Sequence, residues 1–148
     1  MDKPLDRYEQ GMTMRRRVLG DAHVDCAEAA KTGFDEPFQT LITEAAWGSV
    51  WARQHWSLRE RSMVTIALLA ALGHHEEVAM HVRASVNTGA TREDIQEAML
   101  HVAIYAGVPA ANQAIKIIKQ TFDEMDTAGG SSEDSSHADR ANGEHHVE

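Results

Sequence analysis

The sequence has only one cysteine and no long apolar run. Cys26 alone cannot form an intrachain disulfide, and a lone thiol without an activating neighbour is typical of a small apolar filler. A membrane-spanning helix needs about 20 apolar residues, and the N-terminus MDKPLDRYEQ carries charge where a signal peptide is apolar. We therefore expect a cytoplasmic protein with no membrane partner.

Basic residues are also scarce. The formal net charge is −9, whereas proteins that bind nucleic acid present a basic face to the phosphates. Residues 126–148 hold six acids against Arg140 and have almost nothing apolar to bury, so a disordered acidic tail is predicted there. We expect no nucleic-acid partner.

Signals for β-strands are missing as well, because no stretch alternates apolar and polar residues over a strand's length. Apolar residues instead recur at helical spacing, and capping boxes begin at Ser57 with Glu60 and at Thr91 with Asp94. The pattern predicts an all-α, single-domain bundle of about six or seven helices within residues 1–125. The predicted helices cover about 4–19, 21–31, 36–48, 57–72, 74–88, 91–106 and 109–125.

Polar residues become dense after Gly73. His74, Glu77 and His81 occupy positions i, i+3 and i+7, which brings them onto one stripe of a helix. A zinc site lacks the H-E-x-x-H register, since Ala79 stands at the second histidine position. A thiol redox site would need two cysteines. Cofactor-free acid/base catalysis and a plain polar helix face both remain open.

Two further groups of residues are candidates for ligand contacts. Arg15, Arg16 and Arg17 cannot share one helical face, so they fit either a solvated surface or an anion clamp. The three tryptophans between positions 47 and 56 favour an aromatic core corner or an interface over a ligand platform. The segment 53–55 between two of them is interpreted as the polar outside of a loop.

The chain resembles the carboxymuconolactone decarboxylase/alkylhydroperoxidase-D-like family over nearly all of residues 1–125. Five ordered blocks carry the resemblance: RYEQGMTMRRRVLGDAHVD, ITEAAWGSVWAR, LRERSMVTIALLAALG, AMHVRASVNTGAT and AIYAGVPAAN. The peroxidase branch resembles E-x11-C-x-x-C-x3-H, and of that pattern only His81 is present. Ser62, His74 and Glu77 stand at its other positions, which argues against hydroperoxidase activity.

The decarboxylase branch of this family implies an alkylhydroperoxidase-D-like fold and cofactor-free decarboxylation of 4-carboxymuconolactone to 3-oxoadipate enol-lactone, in the β-ketoadipate pathway of aromatic catabolism. No metal or cofactor is expected, because the lactone carbonyl can accept the electrons that CO2 leaves behind. The resemblance also implies a homo-oligomer, expected to be a hexamer. The alternative is a non-catalytic oligomeric scaffold that kept an anion pocket.

The same resemblance suggests roles for individual residues. His81 is expected to be the proton donor or the partner of the lactone oxygen, oriented by Glu77. The carboxylates of the dianionic substrate are expected to contact Arg15 or Arg16, His23 and Arg83, with Trp47 walling the pocket.

Overall fold

The structure is a computed structural model that describes residues 6–138, with side chains described through residue 130. Within that range the chain forms seven α-helices and one π-helical segment, and it contains no strand. The predicted all-α class is confirmed. The elements are α1 (Arg7–Leu19), α2 (Asp21–Ala30), α3 (Glu36–Ile42), the π-helical segment (Thr43–Trp51), α4 (Leu58–Leu72), α5 (His75–Thr88), α6 (Arg92–Tyr105) and α7 (Val108–Ala138).

Capping residues set the ends of these helices. The predicted capping boxes at Ser57 and Thr91 both form, and a third one at Asp6 opens α1. Gly73 and Gly89 end α4 and α5 in the left-handed conformation, which glycine adopts without steric cost. The turns that position α5 therefore come directly from the local sequence.

The apolar residues form two clusters. The larger one packs α4, α5, α6 and α7 together, and its fully buried members include Ile66, Val78, Val82 and Ala114. The smaller cluster joins α1, the π-helical segment and α5 through Val18, Trp47, Trp51 and Ala84. Since α5 contributes to both clusters, it is the element that connects the two halves of the fold.

Helix α1 crosses the π-helical segment at two glycines. A Cβ at Gly11 would collide with the backbone of Thr43, and one at Gly48 would collide with the backbone of Arg7. Gly11 thus lies within α1 because the neighbouring backbone leaves no room for a side chain. The sequence pattern predicted an α-helix from Glu36 to Gly48, whereas the α-helix ends at Ile42 and continues as a π-helix to Trp51.

Helix α7 extends further than predicted. The apolar pattern fades at Asp126, yet the helix continues through Ala138, and Asp126 pairs with Arg92 of α6 at 2.6 Å. Residues 139–148 of the predicted tail, including His145 and His146, lie outside the described residues, and the division at residue 125 stays a prediction. No helix between residues 6 and 138 has the length and apolarity to span a membrane.

Candidate active site

His81 lies in a cluster of aromatic rings at the junction of the two halves of the fold. Its imidazole stacks near Trp51, with 5.8 Å between ring centroids and 13° between planes, and it lies 6.3 Å from Trp47. The two indoles are 5.2 Å apart. His81 is only 6% exposed, and its Nδ1 atom is buried without a hydrogen-bond partner among the described residues. The imidazole therefore keeps one polar atom inside the protein without a partner among the described residues.

The environment of His81 keeps its imidazole neutral. Burial lowers the pKa of His81 from its usual value to about 4, because the charged form loses solvation. The charge of Glu77 opposes this shift, and that of His23 adds a smaller lowering. At neutral pH the side chain is therefore an uncharged imidazole with one N–H donor and one acceptor nitrogen.

The predicted stripe of His74, Glu77 and His81 has one buried member. His74 is the exposed N-cap residue of α5, and Glu77 is also exposed. No hydrogen bond joins Glu77 to His81 within residues 6–138, so Glu77 influences the imidazole through its charge alone. The described part of the chain contains no group of three or more metal-binding side chains.

The first two arginines of the 15–17 run connect helices. Arg15 is 5% exposed, donates to Gln39 Oε1 over 3.2 Å and lies 3.7 Å from Glu28, which ties α1 to α2 and α3. Arg16 pairs with Asp21 and Asp25 at 3.1 and 2.8 Å. Both guanidinium groups thus face carboxylates of the protein itself, and neither lines a cavity described below.

His23 and Arg83 do line one cavity. It has a volume of about 300 Å³, and its remaining walls are Leu19, Ala22, Met80 and Ala84. Ala84 also packs in the smaller apolar cluster with Trp47 and Trp51, so this cavity borders the rings around His81. We call it the His23 cavity. The guanidinium of Arg83 donates to Glu124 Oε2 over 2.7 Å, at an exposed position.

A second cavity of about 450 Å³ is bordered by Trp51. Its walls include Trp51, Trp56, Arg17, Arg53 and Arg59, and we call it the Arg17 cavity. The sequence pattern includes Arg17 only as one of three arginines that fit a solvated surface or an anion clamp, and it indicates that the segment 53–55, with Arg53, is the polar outside of a loop. The available signal was the run of three arginines, whose members have to point in different directions.

A third cavity, about 470 Å³, lies between α6 and α7 and is mostly apolar. None of the candidate residues named from the sequence lines it. Catalytic groups cluster where titratable side chains meet a cavity. The His23 cavity is the better candidate for an active site despite its smaller volume, because the predicted site residues His23 and Arg83 line it.

The sequence is similar to those of known decarboxylases. The chain is 41% identical to the 4-carboxymuconolactone decarboxylase of Acinetobacter baylyi over 82% of its own length and 91% of that protein. It is 36% identical to the nitrosuccinic acid decarboxylase npaB of Metarhizium robertsii over 80% of its own length and 82% of that protein. A sequence model of one family also matches residues 36–120. The chain belongs to the Carboxymuconolactone decarboxylase family.

Proposed function

We propose that this chain is a cofactor-free carboxy-lyase that converts 4-carboxymuconolactone to 3-oxoadipate enol-lactone in the β-ketoadipate pathway. The observation that carries the proposal is the buried imidazole of His81 against Trp47 and Trp51, in an aromatic cluster that meets the His23 cavity at Ala84. The similarity to a 4-carboxymuconolactone decarboxylase along 91% of that relative supports the choice of substrate.

The substrate itself explains why no cofactor is needed. Its departing carboxylate is vinylogous to the lactone carbonyl, so the electron pair of the broken C–C bond moves through the ring double bond onto the carbonyl oxygen. CO2 leaves, and the carbon alpha to the carbonyl takes up one proton. The protein has to hold a dianion, stabilise the oxygen that gains charge and deliver that proton.

His81 suits the second and third of these tasks. The N–H of a neutral imidazole can donate to the lactone oxygen in a site with little water, where such a bond is strong. A bound dianion would raise the pKa of His81 for the same coulombic reason that Glu77 does. Substrate binding then favours the imidazolium form that can pass a proton to carbon.

The other roles follow from the His23 cavity. Arg83 can leave its exposed pairing with Glu124 at little cost, because exposed ion pairs contribute little, and can then hold a substrate carboxylate. His23 offers a second contact, and Trp47 packs behind the imidazole. Arg15 and Arg16 act from outside this cavity by holding α1, α2 and α3 together.

The test is direct. Purified protein is incubated with 4-carboxymuconolactone, and CO2 release is followed with and without exhaustive chelation of metals. Turnover in both arms supports the proposal, whereas turnover that vanishes with chelator and returns with zinc would show that a metal takes part. Absence of turnover in both arms would favour the non-catalytic scaffold.

Nitrosuccinate is the second substrate to assay, because a relative named for its decarboxylation is 36% identical to this chain. If the protein turns over nitrosuccinate faster than the lactone, nitrosuccinate is the better candidate for its substrate. The higher identity to the lactone decarboxylase favours the lactone.

A homo-oligomer, expected to be a hexamer, is also part of the proposal. Two exposed apolar rows support it: Val64, Leu68 and Leu72 on α4, and Leu100, Ile104 and Val108 at the junction of α6 and α7. Exposed apolar rows of this kind are typical of surfaces between subunits.

A further inference from the structure

The Arg17 cavity combines positive charge with aromatic walls on a protein of net charge −9. Arg17 and Arg53 are exposed, and neither guanidinium has an ion-pair or hydrogen-bond partner in the described residues. Arg59, the third arginine of the cavity, is held by both carboxylate oxygens of Asp94 at 2.7 and 2.6 Å. Two guanidinium groups are therefore free to bind an anion.

The walls of this cavity are held in place. The buried Arg61 donates to the backbone oxygen of Arg53 over 2.9 Å, and its guanidinium lies 5.8 Å from the ring of Trp56. The first turn of α4, at Ser57 and Leu58, also borders the cavity and presents the positive end of its helix dipole. Charge, helix end and indole rings thus meet around one space of about 450 Å³.

We propose that the Arg17 cavity is a binding site for a planar aromatic carboxylate, separate from the His23 cavity. Arg17 and Arg53 contact the carboxylate groups, since the planar fork of a guanidinium matches a carboxylate. The rings of Trp51 and Trp56 contact the flat face of the ligand. Because Trp51 also stacks near His81, an occupant of this cavity lies one ring away from the proposed catalytic imidazole.

Isophthalate is a suitable probe, because it is planar, carries two carboxylates and cannot undergo the proposed reaction. Its dissociation constant is measured by titration calorimetry with the full-length protein, and the quenching of tryptophan fluorescence is followed in parallel. Cyclohexane-1,3-dicarboxylate has the same charges without an aromatic face, and inorganic phosphate serves as a simple anion. Tighter binding of isophthalate than of both controls is expected.

Four variants locate the site. Arg17→Gln and Arg53→Gln are each expected to weaken isophthalate binding at least about tenfold, as for other lost charge-assisted hydrogen bonds. Arg92→Gln makes the same charge change at a residue that pairs with Asp126 elsewhere, and Arg83→Gln makes it in the His23 cavity. Arg92→Gln is expected to bind isophthalate like the unaltered protein, and Arg83→Gln is expected to weaken binding less than Arg17→Gln and Arg53→Gln do.

Several results would overturn the inference. The first two are a dissociation constant for isophthalate above about 10 mM and a phosphate affinity equal to that of isophthalate. The other two are an unchanged isophthalate affinity in Arg17→Gln and Arg53→Gln, and an affinity that is lost only in Arg83→Gln. The inference does not rest on the proposed function, because its readout is binding rather than turnover. If the protein binds isophthalate through Arg17 but does not decarboxylate the lactone, the inference stands and only the proposed function is contradicted.

Discussion

At the residue scale, the environment of His81 is the most informative feature of the protein. The sequence pattern puts this histidine beside Glu77 on a helical stripe, but its burial near the indoles of Trp47 and Trp51 lowers its pKa, because the charged form loses solvation. A neutral imidazole in a dry site is a good hydrogen-bond donor to a developing oxyanion.

Replacement of His81 tests its catalytic role. General acid or hydrogen-bond catalysis by a positioned histidine contributes roughly 10² to 10⁴-fold, so His81→Gln should lower kcat at least about a hundredfold while KM changes little. His101→Gln is the matched control, because His101 is exposed and stacks on Tyr105. The kcat of this control should be unchanged.

The measurement is steady-state kinetics on variants that keep the melting temperature and mass of the unaltered protein. A His81→Gln variant that retains more than roughly a third of kcat would contradict the role, since the expected loss is much larger. His23, which lines the His23 cavity, would then be the next donor to test.

The lowered pKa of His81 also predicts how folding stability depends on pH. Between about pH 6.5 and pH 4 the unfolded chain carries a proton on this residue and the folded chain does not. The free energy of unfolding therefore decreases as pH falls through this range. The total decrease is about 3 kcal/mol, because a tenfold difference in proton affinity between the folded and unfolded chains corresponds to roughly 1.4 kcal/mol.

Urea unfolding of the unaltered protein and of His81→Gln, at several pH values from 7 to 4, isolates this contribution. The free energy of unfolding should fall more steeply in the unaltered protein than in the variant. If the free energy of unfolding depends on pH in the same way in both proteins, the pKa of His81 is not lowered by folding.

At the scale of the element, the π-helical segment 43–51 creates the aromatic cluster. A π-helix has a wider turn than an α-helix and is often found at functional sites. Here it contains both Trp47 and Trp51, which pack with Val18 of α1 and Ala84 of α5. The close crossing of α1 over this segment depends on Gly11 and Gly48.

Substitution of these glycines tests the importance of the crossing. Gly11→Ala and Gly48→Ala should each lower the free energy of unfolding by about 1–3 kcal/mol or more, because the added methyl group meets backbone rather than a movable side chain. Gly33→Ala is the matched control, since nothing lies within 4 Å of its added Cβ. Its effect should stay within about 0.5 kcal/mol.

The measurement is urea unfolding, combined with turnover at a temperature where all variants remain folded. We expect Gly11→Ala to reduce kcat as well, because it displaces the segment that carries Trp47 and Trp51. A Gly11→Ala variant as stable as Gly33→Ala would show that the crossing adapts without cost.

At the scale of the whole molecule, the exposed apolar rows on α4 and at the α6–α7 junction predict self-association. Light scattering at micromolar concentration should give a mass several times the 16.3 kDa of one chain, with a hexamer expected. Leu68→Glu and Ile104→Glu each put a charge into one row, so each should reduce the mass if its row is an interface. A mass near 16.3 kDa for the unaltered protein would refute the oligomer.

The C-terminal segment makes a second prediction at this scale. Removal of residues 131–148 leaves the Arg92–Asp126 pair intact and should change neither the melting temperature nor turnover, because the segment has few apolar side chains to pack. Truncation after Met125 removes that exposed pair as well and should have only a small further effect. A large loss of stability from the shorter deletion would show that the tail docks on the helical domain.

Features that depend on neighbours in the chain can be predicted from the amino-acid sequence. Capping boxes at Ser57 and Thr91, glycine ends at Gly73 and Gly89 and apolar residues at helical spacing all act over a few residues, so they predict an all-α fold and most helix boundaries. The polar stripe ending at His81 could be identified for the same reason.

How separate segments complete the candidate site depends instead on packing, which no local pattern indicates. Arg15, Arg16 and Arg17 are equivalent in sequence, but packing buries the first, pairs the second with α2 and leaves the third free beside Trp51. The π-helix likewise has no local signal, because its register depends on α1 crossing it at Gly11. The contacts at this crossing join residues about thirty or more positions apart, and their energies depend on shape, burial and solvent exclusion rather than on spacing along the chain.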